Sequence, residues 1–271
     1  KVSSDGLIYT FYLRNDIYFH ESPLFGENKT RKVEAKDFVF SFNRLKDPAI
    51  ASPGSWILQN VKNYEASAKD ILTITLKKPF PGFLGLLTMR YCSVIPKEVT
   101  VHYGIDFRSN PIGTGPFYFK RWDENVKLVL LKNQKYFEKD NNGNQLPFLD
   151  AISIRFIQDI QSEFMLFLQG KLDFINSLDA SYKDELLDYD GTLQSKYYGK
   201  INMLKGPYLN SEYIGIFLDS QNPAIQSKKI RKALNIGFDR KLMVAFLRNN
   251  VGYPAKKGFI PKGLPGTSNE E

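Results

Sequence analysis

Side chains able to do covalent or metal chemistry are sparse in this chain. There are two histidines, His20 and His102, far apart in sequence and joined by no metal-ligand spacing. A Ser-His-Asp set assembles only in three dimensions, but no Gly-x-Ser-x-Gly elbow presents a nucleophile. His20 is expected at a strand end and His102 on a surface helix. The single cysteine, Cys92, lies in the apolar run Tyr91-Cys92-Ser93-Val94-Ile95. One thiol excludes an internal disulfide and a multi-thiolate metal site, and Cys92 is expected as a small buried hydrophobe. Gly113-Thr114-Gly115-Pro116 has the glycines of a phosphate-cradling loop, but it lacks the Lys-Ser/Thr of a P-loop and precedes a strand, so it reads as a tight turn. Asp140-Asn141-Asn142-Gly143-Asn144 offers oxygen atoms at alternate positions. Its glycine comes too early for a calcium loop, and Ala151 stands where the closing glutamate is needed, so it too reads as a turn. No catalytic residue, cofactor site or metal site is assigned.

The elements around these residues are those of a soluble mixed protein. Of 271 residues, 42% are hydrophobic and 24% charged, which is ordinary, while 21 Phe and 15 Tyr give an aromatic share suited to large cores and apolar clefts. The net charge of +8 is spread along the chain and interleaved with Asp and Glu. The densest cluster, Lys228, Lys229, Arg231 and Lys232, falls near a helix start, and without a long basic block nucleic-acid binding is not expected. No signal peptide or spanning segment is visible, and both ends read as cut.

Leu7 to Leu13 reads as a strand. Ala35, Phe38, Val39, Phe42 and Leu45 fall at helical spacing, and Asp47-Pro48 ends that helix. Val61–Ser67 and Ile71–Lys77 read as paired strands, Gly82–Leu87 as a short helix, and the run after Tyr91 as a strand ending at Pro96. Phe117–Trp122 and Val126–Lys132 form an expected hairpin, followed by a strand at Ile152–Ile157. Glu163–Gln169 reads as a helix closed by Gly170. Leu172–Ile175 and Tyr213–Leu218 read as short strands. Ile230, Ala233, Leu234 and Phe238 mark one terminal helix, and Asp239 caps another over Arg240–Asn249. Mixed helices and strands define an α/β or α+β class.

Six segments, in order, resemble the family 5 extracellular solute-binding proteins, which include the oligopeptide-, dipeptide- and nickel-binding components of ABC importers. Tyr9-Thr10-Phe11-Tyr12-Leu13-Arg14 with Phe19-His20 resembles the family's "YTFxLRxxxxFH". Ala35-Lys36-Asp37-Phe38-Val39-Phe40-Ser41-Phe42 is similar to "AxDVxFSF", and Asn110-Pro111-Ile112-Gly113-Thr114-Gly115-Pro116-Phe117 to "NPxGTGPY". Gly143 to Asp150 is similar to a segment common among peptide binders, Gln169 to Asp173 to "xGxxD", and Lys229 to Arg240 to "xVRxALxxAxDR". Departures are Glu34 at a helix-cap position often held by Thr, a longer Glu21–Arg31 loop, and Phe217 where the family usually has Asn.

The resemblance implies an α/β periplasmic-binding-protein-like fold, two-lobed and of class II type, with an extra α+β domain, here truncated. Residues 1–105 are then the extra domain inserted in the first lobe, 106–205 part of the first lobe, and 206–271 the start of the second. It implies a non-enzymatic, extracytoplasmic protein, periplasmic or at the cell surface. Such a protein captures a peptide-like solute by hinge closure and delivers it to ABC importer permease subunits. A monomer is implied, with an N-terminal lipid anchor outside this chain. Position in the family's pattern marks Met89, Arg90, Tyr91, Tyr208, Asn210 and Tyr213 as ligand-binding candidates. Arg90 is the sharpest, as a forked donor for a carboxylate. The competing readings are a ligand-sensing module of a transcription regulator with the same fold and a hydrolase on a similar scaffold.

Overall fold

The structure, a computed structural model, describes residues 1–176, 178–206, 209–255, 258–261 and 264. The chain divides into two compact units, Lys1–Ile157 and Gln158–Glu271.

The first unit is built on two antiparallel sheets. In the first, β1 (Ile8–Tyr12) and β2 (Val61–Ala68) flank β3 (Ile71–Leu76). β3 alternates as its sequence dictates: Leu72, Ile74 and Leu76 are buried, and the intervening threonines are less so. The helix α1 (Ala35–Lys46) lays Ala35, Phe42 and Leu45 on this face, with Phe38 and Val39 at the margin. Asp47 then takes ψ 118°, the extended setting that the following proline imposes. The short helix α2 (Phe83–Leu87) closes the core with Phe83, whose ring meets Tyr9 edge-on at 5.1 Å. α3 (Lys97–Tyr103) follows Pro96.

The second sheet orders β4 (Phe117–Asp123), β5 (Lys127–Lys132) and β6 (Ala151–Arg155), all antiparallel. Asn125, at φ 59°, supplies the left-handed residue of the β4–β5 turn. Between β5 and β6, the Asp140 carboxylate accepts from the backbone of Asn142 and Asn144, and Gly143 takes φ 84°. This is the Asn/Gly turn expected from the sequence.

In the second unit, α4 (Ile160–Leu168) is capped by Asp159, which accepts from the Ser162 amide. Its start therefore precedes the expected Glu163, and Gly170, at φ 69°, lies just past its end. Phe164 packs with Leu186 and Leu187 around α5 (Lys183–Leu186), its ring stacked on Tyr182 at 4.4 Å. α6 (Pro223–Gln226) and α7 (Lys228–Gly237) lead to α8 (Arg240–Arg248). Asp239 caps α8 by accepting from the Leu242 amide.

Three expected strands do not form. Leu172–Ile175 and Tyr213–Leu218 carry no ladder, and Ile214 and Phe217 are 82% and 71% exposed. Strand-like composition describes a side chain's fit to a sheet, while the strand itself needs a paired neighbour. Among the described residues neither segment has one. The run to Pro96 is instead a single 3-10 turn, Arg90–Cys92, followed by irregular chain. Cys92 faces the core while Arg90 and Ser93 face out, a spacing that an alternating strand cannot supply.

Candidate ligand-binding site

Met89, Arg90 and Tyr91 come together because α2 tightens into the 3-10 turn. The Cys92 amide donates to the Met89 carbonyl at 2.9 Å, and the Ser93 amide to that of Arg90 at 3.2 Å. The turn is pinned from beneath: the Cys92 thiol lies 3.8 Å from the Leu86 carbonyl, and burial pushes its pKa up. Met89 and Tyr91 are half-buried against the first core. The Tyr91 ring rests on Gly54, where an added Cβ would stand 2.4 Å from it. Arg90 is exposed, with its guanidinium carbon 5.5 Å from the Tyr91 ring centre. No described carboxylate lies within ion-pair distance of it. Two side chains of the triplet therefore anchor the turn, and the third presents an uncommitted forked donor.

Gly54→Ala tests this anchoring. The methyl group must displace the Tyr91 ring, and overpacking of this kind costs about 1–3 kcal/mol. The expected result is that loss of stability together with a changed near-ultraviolet tyrosine signal. An unaltered signal would show that the ring is not held there.

Asn210 and Tyr213 belong to the second unit. Both are exposed in irregular chain, and the Tyr213 ring meets Phe259 edge-on at 5.3 Å. The Ser211 hydroxyl donates to the Phe259 carbonyl at 2.7 Å, which ties the two segments together. Tyr208 lies outside the described residues.

Two constellations near the expected motifs were not foreseen. The first surrounds Arg31. Its guanidinium donates to both Asp37 oxygens and both Glu98 oxygens, each at 2.8 Å, and to the Lys32 carbonyl at 3.1 Å. All five donors are committed. The guanidinium also stands 5.0 Å from the ring centre of Phe19 and 5.5 Å from that of Phe25. Asp37 is 2% exposed and accepts in addition from the Glu34 amide at the start of α1. Glu34 itself pairs with Lys36 and Lys69. The Arg31 hydrogen bonds hold the Glu98 pKa below the usual carboxylate range.

The second surrounds His20, which is 7% exposed. Its Nδ1 accepts from the Gly113 amide at 3.3 Å, and its Nε2 donates to the Gly115 carbonyl at 2.9 Å. The backbone groups decide the tautomer: an amide can only donate and a carbonyl can only accept. The His20 amide donates to the Gly113 carbonyl at 2.8 Å, and Asn133 adds a second donor to the Gly115 carbonyl at 3.0 Å. A repeated glycine turn and a Phe-His pair were the only sequence signals, separated by about ninety residues.

These settings bear on catalysis. Both His20 nitrogens are taken by backbone, and the Cys92 thiol is buried. His102 is exposed on α3, its ring edge-on to Tyr103 at 4.8 Å. Among the described residues no serine or cysteine side chain is bonded to a histidine ring, and no helix is long and apolar enough to cross a membrane.

The α/β arrangement is shared with periplasmic binding proteins. A structure of the Helicobacter pylori protein DppA, described as an ABC transporter-associated periplasmic binding protein in complex with the peptide STSA, superposes with a TM-score of 0.76 at 24% identity. The match covers 96% of this chain and 50% of that one. The chain belongs to the bacterial extracellular solute-binding proteins, family 5, whose middle-region model matches residues 1–271. A probable di/tripeptide-binding protein 5 of Pseudomonas aeruginosa is 28% identical over 263 residues, 89% of this chain and 45% of that protein. Heme-binding protein A of Haemophilus influenzae is 26% identical over 280 residues, covering 96% and 47%. The chain thus spans about half the length of the curated relatives it matches.

Proposed function

We propose that this chain forms part of an extracytoplasmic binding protein that captures a peptide-like solute by hinge closure and hands it, unaltered, to an ABC importer. The observation that carries this reading is the family match along the whole chain. Within that frame, residues 1–105 act as the extra domain, 106–205 as part of the first lobe and 206–271 as the start of the second. The protein works as a monomer in the periplasm or at the cell surface, with a lipid anchor, and its partners are the permease subunits. A solute shifts the open and closed populations only by binding one of them better.

Arg90 is the residue proposed to meet the solute. A forked, charged donor on a turn whose flanks are fixed suits a carboxylate: the backbone is already placed, and the exposed side chain alone has to be ordered on binding. Met89, Tyr91, Asn210, Tyr213 and Tyr208 complete the proposed contacts.

Native mass spectrometry of the intact protein, purified with its endogenous ligand, tests the class. A bound mass that fragments as a short peptide supports the reading, and a heme, a metal chelate or a sugar overturns the peptide assignment. For the residue, Arg90→Ala is expected to weaken peptide binding by about tenfold to a hundredfold, the equivalent of one charge-assisted hydrogen-bond pair, at unchanged melting temperature. Equal affinities would remove Arg90 from the site.

A further inference from the structure

We propose that His20 is a proton-released clamp on the Gly113 end of the Asn110–Pro116 turn, so that acid loosens the join between the two sheets of the first unit. The inference does not depend on which solute is bound.

The join is narrow. His20 lies beyond β1, in the chain that leads to α1, while Gly113 and Gly115 lie in the turn that enters β4. His20 contributes three hydrogen bonds across it: one through its backbone amide and two through its ring. The ring bonds require a neutral imidazole with the proton on Nε2. A second proton must go to Nδ1, which then confronts the Gly113 amide donor-to-donor. The Gly113 bond is lost, while the Nε2 bond to Gly115 survives chemically. Asn133, 8% exposed, holds the Gly115 and Pro116 carbonyls independently. The effect of protonation is therefore confined to the Gly113 side.

The groups around the ring leave this balance to the backbone. The Tyr118 ring of β4 is 6.2 Å away, centre to centre. Glu21, the next residue, is paired with Lys135 beyond β5 at 2.9 Å. Arg31, whose carbonyl accepts from the Phe19 amide, is committed to Asp37 and Glu98. None of these is a free carboxylate that would welcome an imidazolium. Burial lowers the His20 pKa, against a smaller opposing effect of the Gly115 bond. The sign follows. The clamped form binds the proton less readily than the open form, so the clamp is complete above the ordinary histidine value near 6.5 and is lost as pH falls below it toward the depressed value.

Hydrogen exchange in the intact protein reads this directly at the Gly113 amide. After correction for the intrinsic exchange rate, protection is expected to fall by up to about tenfold per pH unit below pH ~6.5. Nitrogen shifts of the ring should show Nε2–H throughout the protected range. His20→Gln, which cannot take the proton, is expected to flatten the profile, and His20→Ala to leave Gly113 poorly protected at every pH. A Gly113 protection factor independent of pH in the wild type, or a ring carrying its proton on Nδ1, would overturn the proposal. The wild-type measurements decide it even if both variants fail to fold.

Discussion

Arg31→Ala is expected to destabilise the first unit by about 3–5 kcal/mol, the cost of leaving one partner of a buried pair unanswered. The carboxylate left behind is Asp37, 2% exposed and already fixed by the Glu34 amide at the start of α1. Asp37 cannot turn to solvent without abandoning that amide, so the loss falls on the helix start as well. Arg31→Lys should recover only part of it. A lysine is a point donor and cannot present paired hydrogen bonds to Asp37 and Glu98 together. The measurement is urea unfolding followed by tryptophan fluorescence. Both tryptophans, Trp56 and Trp122, lie in the first unit, so the signal reports that unit alone. An Arg31→Ala midpoint within experimental error of wild type would mean that Asp37 finds another partner. The double variant with Asp37→Asn should cost less than the sum of the two single changes, because the second removes the charge that the first strands.

The second large effect is expected at Phe83. Its side chain is 0% exposed, set edge-on to Tyr9 and enclosed by the first core. Phe83→Ala should cost about 3–5 kcal/mol, from lost transfer energy and from a cavity that the sheet cannot collapse to fill. Phe83→Leu should restore most of this. The change also reaches the proposed site: α2 runs from Phe83 directly into the turn that carries Arg90. Peptide affinity is therefore expected to fall alongside stability, whereas Arg90→Ala should affect affinity alone. A Phe83→Ala protein with native affinity would show that the turn is set by Tyr91 and Gly54 without α2.

Particular elements explain what was legible in the sequence. The stripe Ala35, Phe38, Val39, Phe42, Leu45 announced α1, and the paired runs Val61–Ser67 and Ile71–Lys77 announced β2 and β3, since both signals are local in sequence. Asp239 announced the start of α8 because capping needs only a side chain and an amide three residues on. The Arg31–Glu98 pairing spans 67 residues and the His20–Gly113 bond 93, and no periodicity carries such information. Tyr213–Leu218 misled for the same reason in reverse. Its composition is that of a strand, but pairing depends on a second segment that composition does not name. The ligand-binding candidates rest on position in the family's pattern, which says nothing of what each side chain packs against. The Tyr91 ring rests on Gly54, a residue far away in sequence that no local pattern links to it.

The solitary thiol has a practical use. Cys92 is the last residue of the turn that presents Arg90, and its side chain faces the first core. Its sulfur is largely shielded there, so a small alkylating reagent reaches it mainly when the turn lifts, and the labelling rate, divided by the rate for an unprotected thiol, tracks how often it does so. The chain therefore carries its own stopwatch for openings at the Arg90 turn, ready to be read with and without added peptide by mass alone.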